Sequence, residues 1–189
     1  MQLQNYYYWF KDAIPHHVCD DIVRYAKSIQ DQMAVTGGLG GRKLNKKEVQ
    51  DLKKKRDSDV VWLNERWIYN AIHPFIHQAN KDANWNFDWS FSESCQFTKY
   101  KKGQYYDWHC DSWDRPYHKP EDPNSHGKQR KLSVTLSLSN GKDYKGGELE
   151  FDFRNHDPDK KANTHILKEI KSKGSLVVFP SDVWHRVKP

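Results

Sequence analysis

From Phe87 onward the chain reads as short runs rich in β-branched and aromatic residues, separated by turn signals, and few architectures accommodate that rhythm. The runs are 94–100, 104–111, 131–139, 148–153, 165–170, 175–179 and 183–187. Between them fall Lys101-Lys102-Gly103, Asn140-Gly141-Lys142-Asp143, Gly146-Gly147, residues 155–163, Lys173-Gly174 and Pro180-Ser181-Asp182. Seven strands of this length and spacing predict an antiparallel sandwich or barrel such as a jelly roll. One long segment, 112–129, interrupts the pattern with Pro116, Pro120, Pro123 and Gly127. A loop this long in a compact domain is a functional element or is disordered.

The first half reads as helical. After Pro15, which suits a first helical turn, Val18, Ile22, Tyr25, Ala26 and Ile29 share one apolar face and predict a helix ending near Met33. The glycines at 37, 38, 40 and 41 read as a mobile loop. A short helix after Asn45 carries Val49 and Leu52 as its apolar anchors. A third helix, with Asn64 as its N-cap, presents Trp67, Ala71, Phe75 and Ala79 at steps of four. Pro74 removes one of its hydrogen bonds and predicts a kink. His73 and His77 stand at i and i+4, but without the glutamate of HExxH and with the proline between them they read as ordinary helix residues. The fold class expected is mostly β with N-terminal helices (α+β). Residues 1–86 form a helical support region and 87–189 a jelly-roll core within one domain.

Composition excludes several classes. Mean hydropathy is −1.03, and no stretch approaches the roughly 20 apolar residues of a membrane helix. Aromatics at 14%, with eight Trp, let the chain bury large side chains, which disordered sequences do not. The net charge of +6 admits an acidic partner such as nucleic acid. The excess is local, however: Arg42, Lys43, Lys46, Lys47, Lys53, Lys54, Lys55 and Arg56 crowd one stretch that reads as a solvated helix face and loop. Cys19, Cys95 and Cys110 form no CxxC pair, which points to reduced thiols in a cytoplasmic setting. The N-terminus shows no secretory signal.

The chemistry concentrates in Tyr105-Tyr106-Asp107-Trp108-His109-Cys110-Asp111. In a strand, His109 and Asp111 point to one face and Cys110 to the other. With one distant histidine they form a two-histidine, one-carboxylate set that leaves positions of an Fe(II) ion open. Ten histidines and eighteen aspartates in 189 residues produce roughly one HxD pair by chance, so the context has to carry the signal. His109 and Asp111 end a strand, the long loop follows, and a late strand brings His185. Of the remaining histidines, His118, His126, His156, His16 and His17 sit in loops or at a helix start, while His165 opens a strand and competes for the third position. The apolar run Leu176-Val177-Val178-Phe179 leading into His185 favours that residue, because a metal ligand needs rigid support. There is no GxSxG elbow and no phosphate-binding glycine loop, and His109 and Cys110 face apart, which disfavours a dyad.

These residues resemble the Fe(II)- and 2-oxoglutarate-dependent oxygenases of the prolyl 4-hydroxylase group, in particular the PKHD-type hydroxylases. The blocks that carry the resemblance run from Arg56-Asp57-Ser58-Asp59-Val60-Val61-Trp62-Leu63 through Tyr100 to Asp111 and Arg130-Lys131-Leu132-Ser133-Val134-Thr135-Leu136-Ser137-Leu138-Ser139. Gly146-Gly147-Glu148-Leu149-Glu150-Phe151 and Gly174-Ser175-Leu176-Val177-Val178-Phe179-Pro180, leading to His185-Arg186-Val187, complete them. The resemblance implies that His109, Asp111 and His185 hold iron and that Tyr100 binds a carboxylate of 2-oxoglutarate. It also implies that Thr135, Ser137 and Leu149 line the cosubstrate pocket, and that Tyr106 and Arg130 meet the substrate.

The same resemblance implies a dioxygenase that hydroxylates a C–H bond, most simply of a prolyl residue in a peptide or protein, with release of succinate and CO2. Fe(II), 2-oxoglutarate and O2 are the implied cofactors, with ascorbate as a supporting reductant. The 37–41 and 112–129 loops are the expected lids. The rival expectations are a non-catalytic jelly-roll binding module and the same chemistry on nucleic acid or a small molecule, the former marked by absent turnover and nucleic acid by salt-sensitive binding. Such enzymes place an Arg or Lys on the strand after the second histidine, against the far carboxylate of 2-oxoglutarate. Arg186 and Lys188 are too close to His185 for that place, so the expectation is a chain truncated at Pro189, or one that holds the cosubstrate differently.

Overall fold

The computed structural model describes residues 6–29, 32–33, 44–112, 114–154, 157 and 159–189. Its layering follows from one strand, Leu176–Pro180, in which all five residues are buried. A strand apolar at every position has to be covered on both faces. Val177 and Phe179 point into the interior of a sandwich with Leu149, Phe151, Phe153, Leu167 and Val183. Leu176 and Val178 point the other way, onto Ile76 and Ala79 of a helix and against Leu132, Val134 and Leu136.

In chain order the elements are β1 (Tyr8–Phe10), α1 (His16–Ser28), β2 (Gln32–Met33), α2 (Lys46–Lys53), β3 (Arg56–Asp57), β4 (Asp59–Leu63) and α3 (Arg66–Asp82). Then follow β5 (Cys95–Lys99), β6 (Tyr105–His109), β7 (Leu132–Leu136), β8 (Leu149–Asp152), β9 (Thr164–Ile166), β10 (Leu176–Pro180) and β11 (Trp184–Val187). One sheet has the order β1-β10-β7 and faces a second of order β3-β6-β11-β8-β9, and every pairing is antiparallel. This is the jelly-roll core, mostly β with helices packed outside. A third sheet, β2-β4-β5, packs Val61, Leu63, Cys95 and Phe97 against Ile22 and Ala26 of α1 and Ile68 of α3. The close approach of Gly174 to the segment before α1 requires glycine: at φ +84° a Cβ there would lie 2.2 Å from the Ile14 carbonyl oxygen.

All seven expected strands form, most with ends trimmed by one to a few residues; β10 runs on through Pro180, the residue expected to open the turn, and the run from 165 gives only β9, starting at Thr164, and a 3-10 turn at Glu169–Lys171. The first half differs more. Helix α1 stops at Ser28 because Ile29 turns extended (φ −102°, ψ 143°), well before Met33. Asn64 does not cap α3; Glu65 occupies that position without a side-chain bond, and the Asn64 amide oxygen instead accepts from the Ser94 hydroxyl at 2.6 Å. Asn45 does cap α2, in a reciprocal box with Glu48. Strands β1, β3 and β4 also come from this half, and β1 and β3 form edges of the two jelly-roll sheets. The glycines at 37–41 lie outside the described residues.

Candidate metal centre

Strands β6 and β11 lie side by side, with His109 directly opposite His185. Two residues further along β11, Val187 is opposite Tyr106, so three residues of β6 span what two of β11 do. That extra residue is a β-bulge, and it returns Tyr106 to the face of His109 although they stand three apart. Their rings stack at 3.5 Å between centroids and 16° between planes. The Asp107 carbonyl within the bulge accepts from His109 Nδ1 at 2.7 Å. His185 is held the same way, its Nδ1 donating to the Val183 carbonyl at 2.9 Å. A carbonyl only accepts, so both imidazoles carry a proton on Nδ1, and Nε2 is the nitrogen left to face the site.

Asp111 lies just past the end of β6. Its backbone N–H and that of Ser112 both donate to the Ser181 carbonyl in the β10–β11 turn, at 2.8 and 2.9 Å. Its carboxylate is fixed by the Ser133 hydroxyl of β7, which donates to Oδ2 at 2.7 Å and meets the Ser181 hydroxyl at 2.9 Å. Strands of both sheets therefore converge on one carboxylate. Asp111 Oδ1 stands 3.8 Å from His109 Nε2, and Oδ2 stands 3.7 Å from His185 Nε2. These separations exceed hydrogen bonds, yet suit donors that share one ion at bonds of about 2 Å. Among the described residues this is the one cluster of three such side chains able to hold a metal ion, its ligand atoms all within 4.8 Å of one another.

The electrostatics fit that use. Burial, followed by the adjacent His185, pushes His109 down to about 3, so the imidazole is neutral and its lone pair free at neutral pH. Burial works against the Asp111 carboxylate, but His185, His109 and the Ser133 hydroxyl outweigh it and hold the group below the ordinary carboxylate range. A pair of imidazole nitrogens with an ionised carboxylate is the donor chemistry of a divalent transition metal.

The other expected residues are placed as follows. Tyr100 follows β5; burial raises its phenol, while the neighbouring Arg56 and Ser58 oppose the shift. Tyr106 touches the site through His109. Arg130 donates to Glu93 Oε2 at 2.5 Å and to the Asp111 carbonyl at 3.2 Å, so it braces the backbone of that residue. Thr135 is opposite Val177 and shares the interior face with Ser133, and Leu149 is buried in the same interior cluster. Ser137 turns its hydroxyl to the Ser139 carbonyl at 3.2 Å.

His165 is not part of the cluster. Its partner on β8 is Phe151, whose partner on β11 is His185. Two strand spacings put the two histidines about 10 Å apart. His165 meets the Tyr7 hydroxyl at 3.2 Å instead. His73 and His77 pack around Trp89. Within the long 112–129 loop, the described residues 114–129 fold back on themselves, the Tyr117 N–H donating to the Lys128 carbonyl at 2.9 Å.

Sequence reasoning missed Ser133, Ser181 and Arg56 as site residues. Ser133 had a signal: with Thr135 and Ser137 it makes every second residue of a strand polar on a face turned to an apolar interior. Arg56 was hidden at the end of the basic run; unlike Lys53, Lys54 and Lys55, which are exposed, it is 5% exposed.

A jelly roll that gathers two histidines and one carboxylate at the mouth of its facing sheets has the donor arrangement of a non-haem iron oxygenase. Comparison with known proteins agrees. The 2OG-Fe(II) oxygenase superfamily matches residues 95–189, and the chain belongs to that family. A PKHD-type hydroxylase of Pseudoalteromonas atlantica is 34% identical over 96 residues, which is 50% of this chain but only 36% of the relative's length. The crystal structure of a Pseudomonas putida prolyl-4-hydroxylase superposes with a TM-score of 0.64 at 18% identity, covering 99% of this chain and 88% of the other. The viral collagen prolyl hydroxylase of Paramecium Bursaria Chlorella virus-1, in its 2OG complex, superposes with a TM-score of 0.61 at 19% identity, covering 97% and 88%. At these identities the structural likeness speaks for the fold.

Proposed function

We propose that the chain is a 2-oxoglutarate-dependent iron hydroxylase acting on a prolyl residue of a peptide or protein. The observation that carries this reading is the convergence of His109 Nε2, His185 Nε2 and the Asp111 carboxylate, each held by its own hydrogen bond to the scaffold. When bound, iron with 2-oxoglutarate supplies the oxidising power to place one oxygen atom of O2 on a C–H carbon, the other leaving in succinate.

In this reading His109, Asp111 and His185 hold the metal, and the Nδ1–H bonds keep both rings from turning. Tyr100 offers its hydroxyl, kept protonated by burial, to a cosubstrate carboxylate. Thr135, Ser137 and Leu149 line the same pocket. Tyr106 and Arg130 would meet the substrate, a role supported by the contact of Tyr106 with His109 and of Arg130 with Asp111. The prolyl substrate rests on the names of the relatives, and the apolar interior behind His185 helps exclude water.

The test has two parts. Anaerobic addition of Fe(II) and 2-oxoglutarate to the purified chain should give a metal-to-ligand charge-transfer band; its absence with metal bound would reject the oxygenase chemistry. Proline-containing peptides should then gain one oxygen atom by mass spectrometry as succinate forms. Succinate formed with no proline oxidised in any peptide would reject the prolyl substrate alone.

A further inference from the structure

Arg56 is the most buried arginine of the described residues, at 5% exposure. Its polar partners are neutral: Nε donates to the Ser58 hydroxyl at 3.0 Å and Nη2 to the Gln96 side-chain oxygen at 2.5 Å. Arg130, Arg154 and Arg186 are all more exposed, and each is paired with a carboxylate, Glu93, Asp152 and Glu150 respectively. Among the described residues Arg56 has no such counter-charge. A buried charge with no opposite charge is costly, so this guanidinium stands to gain from an anion that enters beside it.

The place of that charge identifies the anion. Arg56 is the cross-strand partner of Tyr106, and its guanidinium carbon lies 4.5 Å from the centre of the Tyr106 ring. That ring stacks on the metal-ligand candidate His109. The Tyr100 hydroxyl is the other neighbour of the guanidinium, and the charge of Arg56 reaches both Tyr106 and His109. A divalent ion held by two neutral imidazoles and one carboxylate has a single net positive charge. The guanidinium adds a second, and together they match the two negative charges of 2-oxoglutarate.

We infer that Arg56 is a carboxylate receptor of this pocket, binding the 2-oxo acid by a charge-assisted contact next to Tyr100. The inference rests on the proposed function above, since it supposes that a 2-oxo acid enters this site. It gives a role to a cation that lies outside the metal triad and comes from β3, at the edge of the sheet that carries His109 and His185.

The experiment measures two affinities separately. Mn(II) binding reports on His109, Asp111 and His185; anaerobic titration of the Fe(II)-loaded chain with 2-oxoglutarate, followed by the charge-transfer band, reports on the cosubstrate. Arg56→Met keeps the length and apolar stem without the charge. It should weaken 2-oxoglutarate about 30-fold or more, the effect of losing a hydrogen bond to a charged partner. Mn(II) affinity should stay within about threefold, and Arg56→Lys should recover part of the loss.

Titration with 2-oxopentanoate, which lacks the far carboxylate, locates the contact. A loss confined to 2-oxoglutarate puts the far carboxylate on Arg56, and an equal loss for both acids puts the shared 1-carboxylate there. If Arg56→Met does not fold, as judged by circular dichroism, Arg56→Gln carries the same expectations. Unchanged 2-oxoglutarate affinity in the neutral variant overturns the inference, as does a parallel loss of Mn(II), which would mean that Arg56 acts through the metal ligands. Failure of the unaltered, metal-loaded chain to bind 2-oxoglutarate overturns the proposed function itself, and is thereby distinguished from failure of the Arg56 inference.

Discussion

His109 and His185 are direct cross-strand partners on β6 and β11, their ring centroids 4.1 Å apart, although 76 residues separate them in sequence. Strand pairing rather than loop geometry sets their distance. Removing either imidazole should therefore remove a candidate ligand from a rigid set. We expect His109→Ala and His185→Ala each to lower Mn(II) affinity by more than about 100-fold. His165→Ala should leave it unchanged, since that ring belongs to a different cluster with Tyr7 and Phe153. Calorimetric titration of the three variants checks this, and a loss at His165→Ala equal to that at His185→Ala would refute the ligand assignment.

The carboxylate depends on a residue that touches no member of the candidate metal site but Asp111. Ser133→Ala deletes the hydroxyl that fixes Asp111 Oδ2 at 2.7 Å and leaves the Ser181 hydroxyl without that neighbour. Such outer hydrogen bonds commonly contribute tenfold or more in metal affinity. A loss of about 10-fold in Mn(II) binding is expected, with little change in the melting temperature of the metal-free chain. Metal affinity indistinguishable from that of the unaltered protein would mean that the β10–β11 turn alone orients Asp111.

These two dependencies show why the site was only partly legible in the sequence. His109 and Asp111 could be read because strand alternation puts i and i+2 on one face. His185 could be preferred because Leu176 to Phe179 is apolar at every position, and the structure buries that strand on both sides. Tyr106 was different: its i, i+3 relation to His109 crosses faces in a regular strand, and only the bulge, which has no composition signal, brings the rings together. Arg56 was misleading in sequence because its neighbours Lys53, Lys54 and Lys55 are exposed, and a two-residue strand leaves no periodicity to mark it as buried. Strands β1 and β3 went unread for the same reason of length, and they gain their stability from pairing with β10 and β6.

The metal-free protein should become less stable as pH falls. An unfolded histidine takes up a proton near pH 6.5, whereas burial beside His185 delays that of folded His109 to about 3. Between those values the unfolded chain binds more protons, so stability is full above about pH 6.5 and declines towards pH 3. Asp111, held below its ordinary value, acts in the same direction at the lower end, losing its contribution as pH drops through its folded value. By about pH 5 the His109 contribution alone is on the order of 2 kcal/mol lost. Urea unfolding in the presence of a chelator, at about pH 7.5 and pH 5, measures it. His109→Gln should flatten the dependence; equal slopes in the two proteins would assign the effect to other groups.

The strand that carries His185 is also tied down from its opposite face. Arg186 Nε donates to Glu150 Oε2 at 2.6 Å, and its guanidinium carbon lies 4.7 Å from the centre of the Trp108 ring. The pair links β11 to β8, where Arg186 and Glu150 are cross-strand partners. The Glu150 side chain is 8% exposed and that of Arg186 33%. Deleting the arginine leaves a buried carboxylate without its cation, and the cost exceeds the small contribution of an exposed pair. Discounted for the partial exposure of Arg186, Arg186→Met should cost about 2 kcal/mol, or a fall of about 4–8 °C in melting temperature for a chain of this size. Adding Glu150→Gln removes the orphaned charge and should return much of that loss. Melting curves of the single and double variants decide the matter, and a double variant less stable than the single would show that the cost lies in the Trp108 packing instead.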